Sequence, residues 1–414
     1  MQEAKLRKVD SLVFRFLKQE EQRQKRGLVM IPSENFTSLA VLEALGSYLT
    51  NKYSEGYPNF RYYSGNKYID KIEILAIKRA KELFKADFAN VQPHSGTQAN
   101  MACYFALLKK GDRVLSMDLN AGGHLSHGAK VSFSGKFFHF IHYGVKKETE
   151  LIDYEQIEIL ARKYRPKLIV SGASSYPRKI NFRLINNIAH KYGAYHLADI
   201  AHIAGLVAAG LHPNPFPWAD LVTLTTQKTL RGPRGGVVLG KKKFEKIINR
   251  MVFPGIQGGP FENVIAAKAV CFKQARTLSF KKYQEQVIKN ARQLAKVLLK
   301  ENIRLITGGT DNHLLLIDLR PLKISGLEAE RILEEAGIYT NRNVIPFDDA
   351  SPNNPSGLRL GTPALTTRGM KEREMKLIGQ LIVRILKNPK NKKMKEDVKK
   401  QVIALAKKFP YFKK

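Results

Sequence analysis

Apolar positions recur along the chain in two alternating rhythms. From about residue 36 to 280, short apolar runs of strand length alternate with stretches at helical spacing. "FANVQPHSG" predicts a strand and then a loop, and "QANMACYFALLKKGD" a helix closed by a Gly-Asp turn. "RVLSMD", "PKLIVSGAS", "ADLVTLTTQK" and "GGVVLGKK" predict strands, and "NNIAHKYGAYHLADIAH" a helix followed by a strand. This βαβ rhythm predicts an α/β fold, a mostly parallel sheet covered by helices on both faces. Residues 281–302 predict a long helix with Val287, Ala291, Leu294, Val297 and Leu298 as its apolar stripe. It leads to a smaller C-terminal α/β domain with strands over 313–319 and 357–362 and a helix N-capped by Ser325. Residues 1–26 predict one polar helix with Leu12, Val13, Phe16 and Leu17 as a short apolar stripe. The expected organisation is an N-terminal helical arm over 1–30, a large domain over 31–280, and a small domain over 281–414 ending in a basic helical tail.

Composition narrows the class. Of 414 residues, 43% are hydrophobic, enough to bury a large core, which excludes a wholly disordered chain. No run of about 18 uncharged apolar residues occurs, so no membrane-spanning helix is expected. The first 30 residues carry charge throughout, without a secretory apolar segment. The two cysteines, Cys103 and Cys271, lie in neither a CxxC motif nor a Cys/His cluster. A disulfide framework and structural zinc are not expected, and a reducing, cytoplasmic setting fits.

Charge has two readings. Lys plus Arg number 70 against 36 Asp plus Glu, a net +34. This suits a polyanion partner such as RNA, or a lysine-rich solvated surface. The tail after Lys387 is densest in lysine, yet Val398, Val402, Ile403 and Leu405 fall at near-helical spacing. That pattern fits a docked amphipathic helix with a charged outer face. Neither zinc-finger spacing nor an RNP-type aromatic motif is present, which favours the solvated surface.

Four segments could carry chemistry. Lys228 in "TLTTQKTLRGPRGG" follows a buried-looking strand, where partial desolvation makes an amine a competent Schiff-base former; most lysines are merely solvated. Asp199 ends the apolar strand of "HLADIAHIAGL", where a carboxylate points into the crevice of an open α/β sheet or else caps a turn. Ser95, Gly96 and Thr97 open an apolar helix, a pattern that serves an anion site or ordinary capping. The segment matches neither GxxxxGK[ST] nor GxGxxG, which leaves phosphorylated cofactors other than those nucleotides open. His124 and His127 flank "HLSH" beside a Gly pair; no third ligand at zinc spacing is visible, so no metal is expected, and a ring there could stack on a flat cofactor.

Taken in order, "IPSENFTS", "NKYSEGYPNFRYYSGNKYID", "VQPHSGTQAN", "GGHLSHG", "SGASSYPR", "DIAHIAGLVAAG", "TTQKTLRGPRGG", "FPGIQGGP", "TGGTDNHL" and "SGLRLGTPALTTRG" resemble the serine hydroxymethyltransferase family over about residues 25–410. The resemblance implies a pyridoxal phosphate enzyme of the aspartate-aminotransferase fold type (fold type I). It implies reversible conversion of serine and tetrahydrofolate to glycine and 5,10-methylenetetrahydrofolate, in a homodimer or a tetramer. Lys228 then matches the cofactor-bearing lysine, Asp199 the partner of the pyridine nitrogen and His124 the ring-stacking histidine. Ser95, Gly96 and Thr97 match the phosphate cup, joined by Gly258 and Gly259 from the neighbouring subunit. Ser174 and His202 match groups around the ring's 3-oxygen, and Thr225 another cofactor contact. Arg359 matches the clamp on the amino-acid carboxylate, with Ser33 nearby. Tyr53 and Tyr63 match hydroxyls lent across the dimer interface, and Glu55 a buried carboxyl that moves protons between substrate and folate. Leu119 and Leu125 match folate contacts.

The chain departs from the family pattern at Gln227, where His usually precedes the lysine, and at Ser64, where Gly is usual and a positive φ would strain the turn. Asn59 replaces a common Gly, and Phe347 an Asn that commonly contacts the pterin. Phe347 is the best support for a competing folate-independent β-hydroxy-amino-acid aldolase. A more distant reading is a basic RNA-binding protein on an enzyme scaffold.

Overall fold

The apolar runs form a seven-stranded sheet from β1 (Phe88–Asn90), β2 (Arg113–Met117), β3 (His139–Tyr143), β4 (Leu168–Gly172), β5 (Tyr195–Asp199), β6 (Leu221–Thr225) and β7 (Gly236–Gly240). The computed structural model describes the backbone of residues 2–411 and the side chains of 5–411; the end of the basic tail, 412–414, lies outside the described residues. The sheet order is β1-β7-β6-β5-β4-β2-β3. Neighbours pair in parallel, except that β7 is antiparallel to β1 and β6. Strands β4, β6 and β7 are buried at every position, as continuous apolar runs require when both sheet faces are covered.

A three-stranded antiparallel sheet follows, from β8 (Leu314–Asp318), β9 (Asn341–Asn343) and β10 (Gly357–Gly361), in the order β8-β10-β9. The long helix Leu278–Lys300 starts earlier than predicted because Thr277 caps it, accepting a hydrogen bond from the Phe280 N–H. Its five predicted stripe residues are all buried. The helix joins two cores: Phe280 and Ile288 pack with the large sheet, and Ala291 to Leu298 with the small one. Leu28 and Met30 belong to this second core, so the chain visits it once before building the large sheet.

The N-terminal segment departs from the single predicted helix. Asp10 is extended and its carboxylate accepts from the Val13 N–H, so the segment divides into Gln2–Val9 and Ser11–Arg26. A short acid gains more by capping than by sitting inside a helix. Leu12, Val13, Phe16 and Leu17 stay exposed. The tail forms the helix Lys392–Lys408, with Val398, Val402 and Leu405 buried and Ile403 partly so. Arg368 ties both ends of the chain together, donating to the carbonyls of Lys25, Gly27, Ala406 and Phe409. Ser64 needs no left-handed backbone; Gly65 takes it, with φ +75°. Asn59 and Phe347 do adopt positive φ, 68° and 56°.

Candidate active site

The C-terminal ends of β5 and β6 open onto a cavity of about 510 Å³, where an open α/β sheet binds its ligands. Thirteen predicted residues line it: Ser33, Ser95, Gly96, Thr97, Leu119, His124, Leu125, Ser174, Asp199, His202, Thr225, Lys228 and Arg359. Two grooves elsewhere are larger, about 740 and 760 Å³, but neither gathers groups from the strand ends.

Asp199 ends β5 with its carboxylate fully engaged. Its Oδ2 accepts from Asn100 Nδ2 at 2.9 Å and lies 3.1 Å from His127 Nε2. Its Oδ1 accepts from the Ala201 N–H. Burial alone would raise this carboxyl, but the hydrogen bonds from His127 and Asn100 overcome it and hold Asp199 well below the ordinary carboxylate range. Asp199 is therefore a committed anion. Lys228 lies just past β6. Burial lowers its amine to about 8, against the pull of Asp199 and with the push of Arg359 and Arg234. About a tenth of it is thus neutral and nucleophilic at pH 7, far more than for a solvated lysine.

The helix Gly96–Leu107 opens toward the cavity. Ser95 caps it, its hydroxyl accepting from the Gln98 N–H at 3.2 Å. Gly96 and Thr97 are in the first turn, where N–H groups have no intrahelical acceptor. Gly96 has no room for a side chain: a Cβ would lie 2.5 Å from Thr225 Cγ2. Arg359 comes from β10, the middle strand of the small sheet, and is buried. Its Nη1 donates to the Ser174 carbonyl at 2.6 Å and its Nε to Asn341 Oδ1 at 3.2 Å. Burial lowers it to about 10, so it stays charged at neutral pH.

The histidines around these cations are held neutral. Burial and His127 push His124 down to about 4, although Asp199 opposes this. His202 is pushed well below its ordinary value by burial and by Lys228 and Arg359, and its Nδ1 has no hydrogen-bond partner. His127 reaches Asp199 rather than pairing with His124 on a metal.

The other five predicted residues do not reach this cavity. Tyr53, Glu55, Tyr63, Gly258 and Gly259 form a separate cluster. The Tyr53 hydroxyl donates to Glu55 Oε1 at 3.4 Å, and the Tyr53 and Tyr63 rings are 5.0 Å apart. A Cβ on Gly258 would lie 3.2 Å from Glu55 Oε1, and one on Gly259 3.4 Å from the Tyr53 ring. The expectation of a buried Glu55 is corrected within one chain: Glu55 is half-buried, with Tyr53 and Tyr63 exposed beside it.

Sequence reasoning did not assign Asn100, His127, Arg234 or Asn343 to the site. His127 was visible in the His pair, but its carboxylate partner is 72 residues away. Asn100 lies one helical turn after the cup, and only the fold turns it to Asp199. Gln227 lines the cavity, its Oε1 accepting from the Gly235 N–H at 3.4 Å. Phe347 is exposed and does not line the cavity, whereas Asn343 and Val344 do.

Comparison with known proteins bears on this arrangement. A model of the serine hydroxymethyltransferase family matches residues 6–382. A serine hydroxymethyltransferase of Myxococcus xanthus (strain DK1622) is 54% identical over 407 residues, covering 98% of this chain and 97% of that protein. The chain belongs to the serine hydroxymethyltransferase family.

Proposed function

We propose that this cavity holds pyridoxal 5'-phosphate on Lys228, and that the cluster around Glu55 completes the same cavity in the second copy of a homodimer. The fold is fold type I of the pyridoxal phosphate enzymes. The enzyme is a glycine hydroxymethyltransferase, reversibly converting serine and tetrahydrofolate to glycine and 5,10-methylenetetrahydrofolate. Family membership replaces the folate-independent aldolase as the reading of the reaction. Among the described residues no helix is long and apolar enough to cross a membrane.

The donor set fits the cofactor. A committed carboxylate suits a protonated pyridine nitrogen, and the first-turn N–H groups of Gly96 and Thr97 suit a phosphate. His202 Nδ1, buried and unpartnered, is free for a polar group of a ligand. When bound, pyridoxal phosphate supplies an electron sink that permits cleavage of the Cα–Cβ bond of serine.

The chain's own residues do the rest. Asp199 keeps its charge through the cycle because Asn100 and His127 hold it. Lys228 would hold the cofactor, and its amine, with a lowered pKa, would be suited to take or give a proton. Arg359 offers a planar guanidinium to the substrate carboxylate, with Ser33 beside it. His124 presents an uncharged flat ring, suited to stacking. Glu55, reaching in from the neighbour, moves the proton of the substrate hydroxyl, and Leu119 and Leu125 offer apolar contact to the folate.

The observation that carries this reading is the convergence of Asp199 and Arg359, from strands of two different sheets, and Lys228, from the turn after β6, on one cavity. The test is the absorption spectrum of the purified protein. A visible band from lysine-bound cofactor is expected, with a further long-wavelength band on adding glycine and tetrahydrofolate together. A protein that stays colourless after added pyridoxal phosphate would refute the assignment of Lys228.

A further inference from the structure

Lys268 is a lysine that the reaction does not use and that the solvent does not reach. It lies on the helix Glu262–Ala275 and is 1% exposed. Its Nζ donates to three main-chain carbonyls: Val91 at 2.6 Å, Gly236 at 2.8 Å and Pro93 at 3.1 Å. Three acceptors match the three protons of an ammonium. Burial lowers the Lys268 amine to about 7 against the fields of Glu73 and Glu262, whose carboxyl groups take their hydrogen bonds elsewhere, from Arg61 and Gln92 and from Ser54. Burying an ammonium costs several kcal/mol even after relaxation, so a bare structural staple is an expensive use of one.

These carbonyls belong to the run that leads into the phosphate cup and to the strand end packed against it. Val91 and Pro93 lie on the short run from β1 to Ser95. Gly236 opens β7, donates its N–H to the Pro93 carbonyl at 3.0 Å, and lies against the cup itself: a Cβ there would be 2.2 Å from the Ser95 carbonyl oxygen and 3.2 Å from the Gly96 nitrogen. The amides that follow two of these carbonyls are held as well: the Gln92 N–H donates to Asn90 Oδ1 and the His94 N–H to Gln257 Oε1. A cation that draws these carbonyls to itself ties the run leading into the cup to the strand end packed against it.

We propose that Lys268 is a positioning residue for the cofactor phosphate, tying the Val91–Pro93 run to the start of β7 so that Ser95, Gly96 and Thr97 stay placed to present N–H and hydroxyl groups to the anion. The inference rests on the cofactor reading above and adds a residue outside the cavity lining.

The test compares pyridoxal phosphate with pyridoxal, which lacks the phosphate but can still react with Lys228. Dissociation constants are read from the visible band in the wild type, Lys268→Met and Gly235→Ala. A Cβ on Gly235 would lie 2.4 Å from Lys268 Cε, so that variant displaces the amine and keeps its charge. Lys268→Met is expected to weaken pyridoxal phosphate about tenfold, the worth of one hydrogen bond to a charged group, and to leave pyridoxal within about twofold. Gly235→Ala is expected to show the same selectivity, and it decides the matter if Lys268→Met does not fold. Equal weakening of both ligands, or of neither, would overturn the inference while leaving the cofactor reading intact. A wild type without a band for either ligand would sink the cofactor reading and this inference with it.

Discussion

The cavity around Lys228 and the cluster around Glu55 are built on opposite plans. In the first, charges are buried and matched: every oxygen of Asp199 is engaged, and Arg359 is held by Ser174 and Asn341. In the second, aromatic and acidic groups face outward, with Phe60 82%, Tyr62 75% and Tyr53 54% exposed. The second region is not loose. The Arg61 guanidinium is buried beneath it and donates to the carbonyls of Ser54 and Gly56, on either side of Glu55, and to Asp70 and Glu73. A well-held loop that presents exposed aromatic side chains is what the proposed contact with a second copy would use. The first region gathers thirteen of the predicted site residues within one chain; the second would serve, on the proposed reading, in the cavity of a second copy.

The largest effect should come from the first region. Lys228→Ala is expected to abolish the visible band and to lower kcat by roughly 10³-fold, without changing the oligomeric mass measured by light scattering. A coloured Lys228→Ala protein would move the anchor elsewhere. Asp199→Asn keeps the shape and removes the charge; a fall in kcat of about 10²–10³-fold is expected, with a shifted cofactor spectrum. An unchanged spectrum would detach Asp199 from the ring nitrogen.

Glu55→Gln should lower the folate-dependent rate by about 10²-fold while the visible band stays. Mixing Glu55→Gln chains with Lys228→Ala chains sharpens the comparison. If Glu55 is lent, one cavity of each hybrid dimer is intact and about a quarter of the wild-type activity returns. No recovery would put Glu55 in its own chain's cavity and dissolve the contrast between the regions.

Two smaller effects concern stability. The Lys228 amine is lowered in the folded state to about 8 from 10.5. Between those values the unfolded chain binds more protons than the folded one, so this group's contribution to stability rises with pH across that window. Apoprotein denaturation should show the wild type gaining on Lys228→Met as pH goes from about 8 to about 10.5; parallel curves would mean the amine is not desolvated. Finally, Phe347 has φ 56° and is exposed, and an aromatic residue pays for the left-handed region where Asn does so less. Phe347→Asn is expected to raise stability by about 1 kcal/mol, seen as a higher denaturation midpoint. No change would mean the loop relaxes around Phe347 at no cost.

Six of the seven strands of the large sheet were legible because their apolar runs are continuous and their lengths distinct; β3, an edge strand with His139 and His142 interrupting its apolar positions, was not. So was Ser325 as a cap, and the buried face of the tail helix. The N-terminal arm was misread: its pattern suggested one polar helix with a short apolar stripe, and Asp10 breaks it by capping. Thirteen of the site residues could be placed by motif, but motif could not tell that Glu55 belongs with Gly258 and Tyr53 rather than with Lys228. Nor could it find Asn100 or Lys268, because an Asn or a Lys inside a helix reads as surface until its neighbours are known.

By itself the sequence determined the alternation of strands and helices, the chemical kinds of group available and the family they belong to. These follow from local spacing and from short ordered motifs, which survive in one dimension. The tertiary structure alone decided which charges meet. Asp199 becomes a fixed anion because Asn100 and His127 arrive from distant positions, and Lys228 becomes a weak base because the folded chain strips its water. Burial and pairing depend on distance in space, and only the packed chain sets that distance.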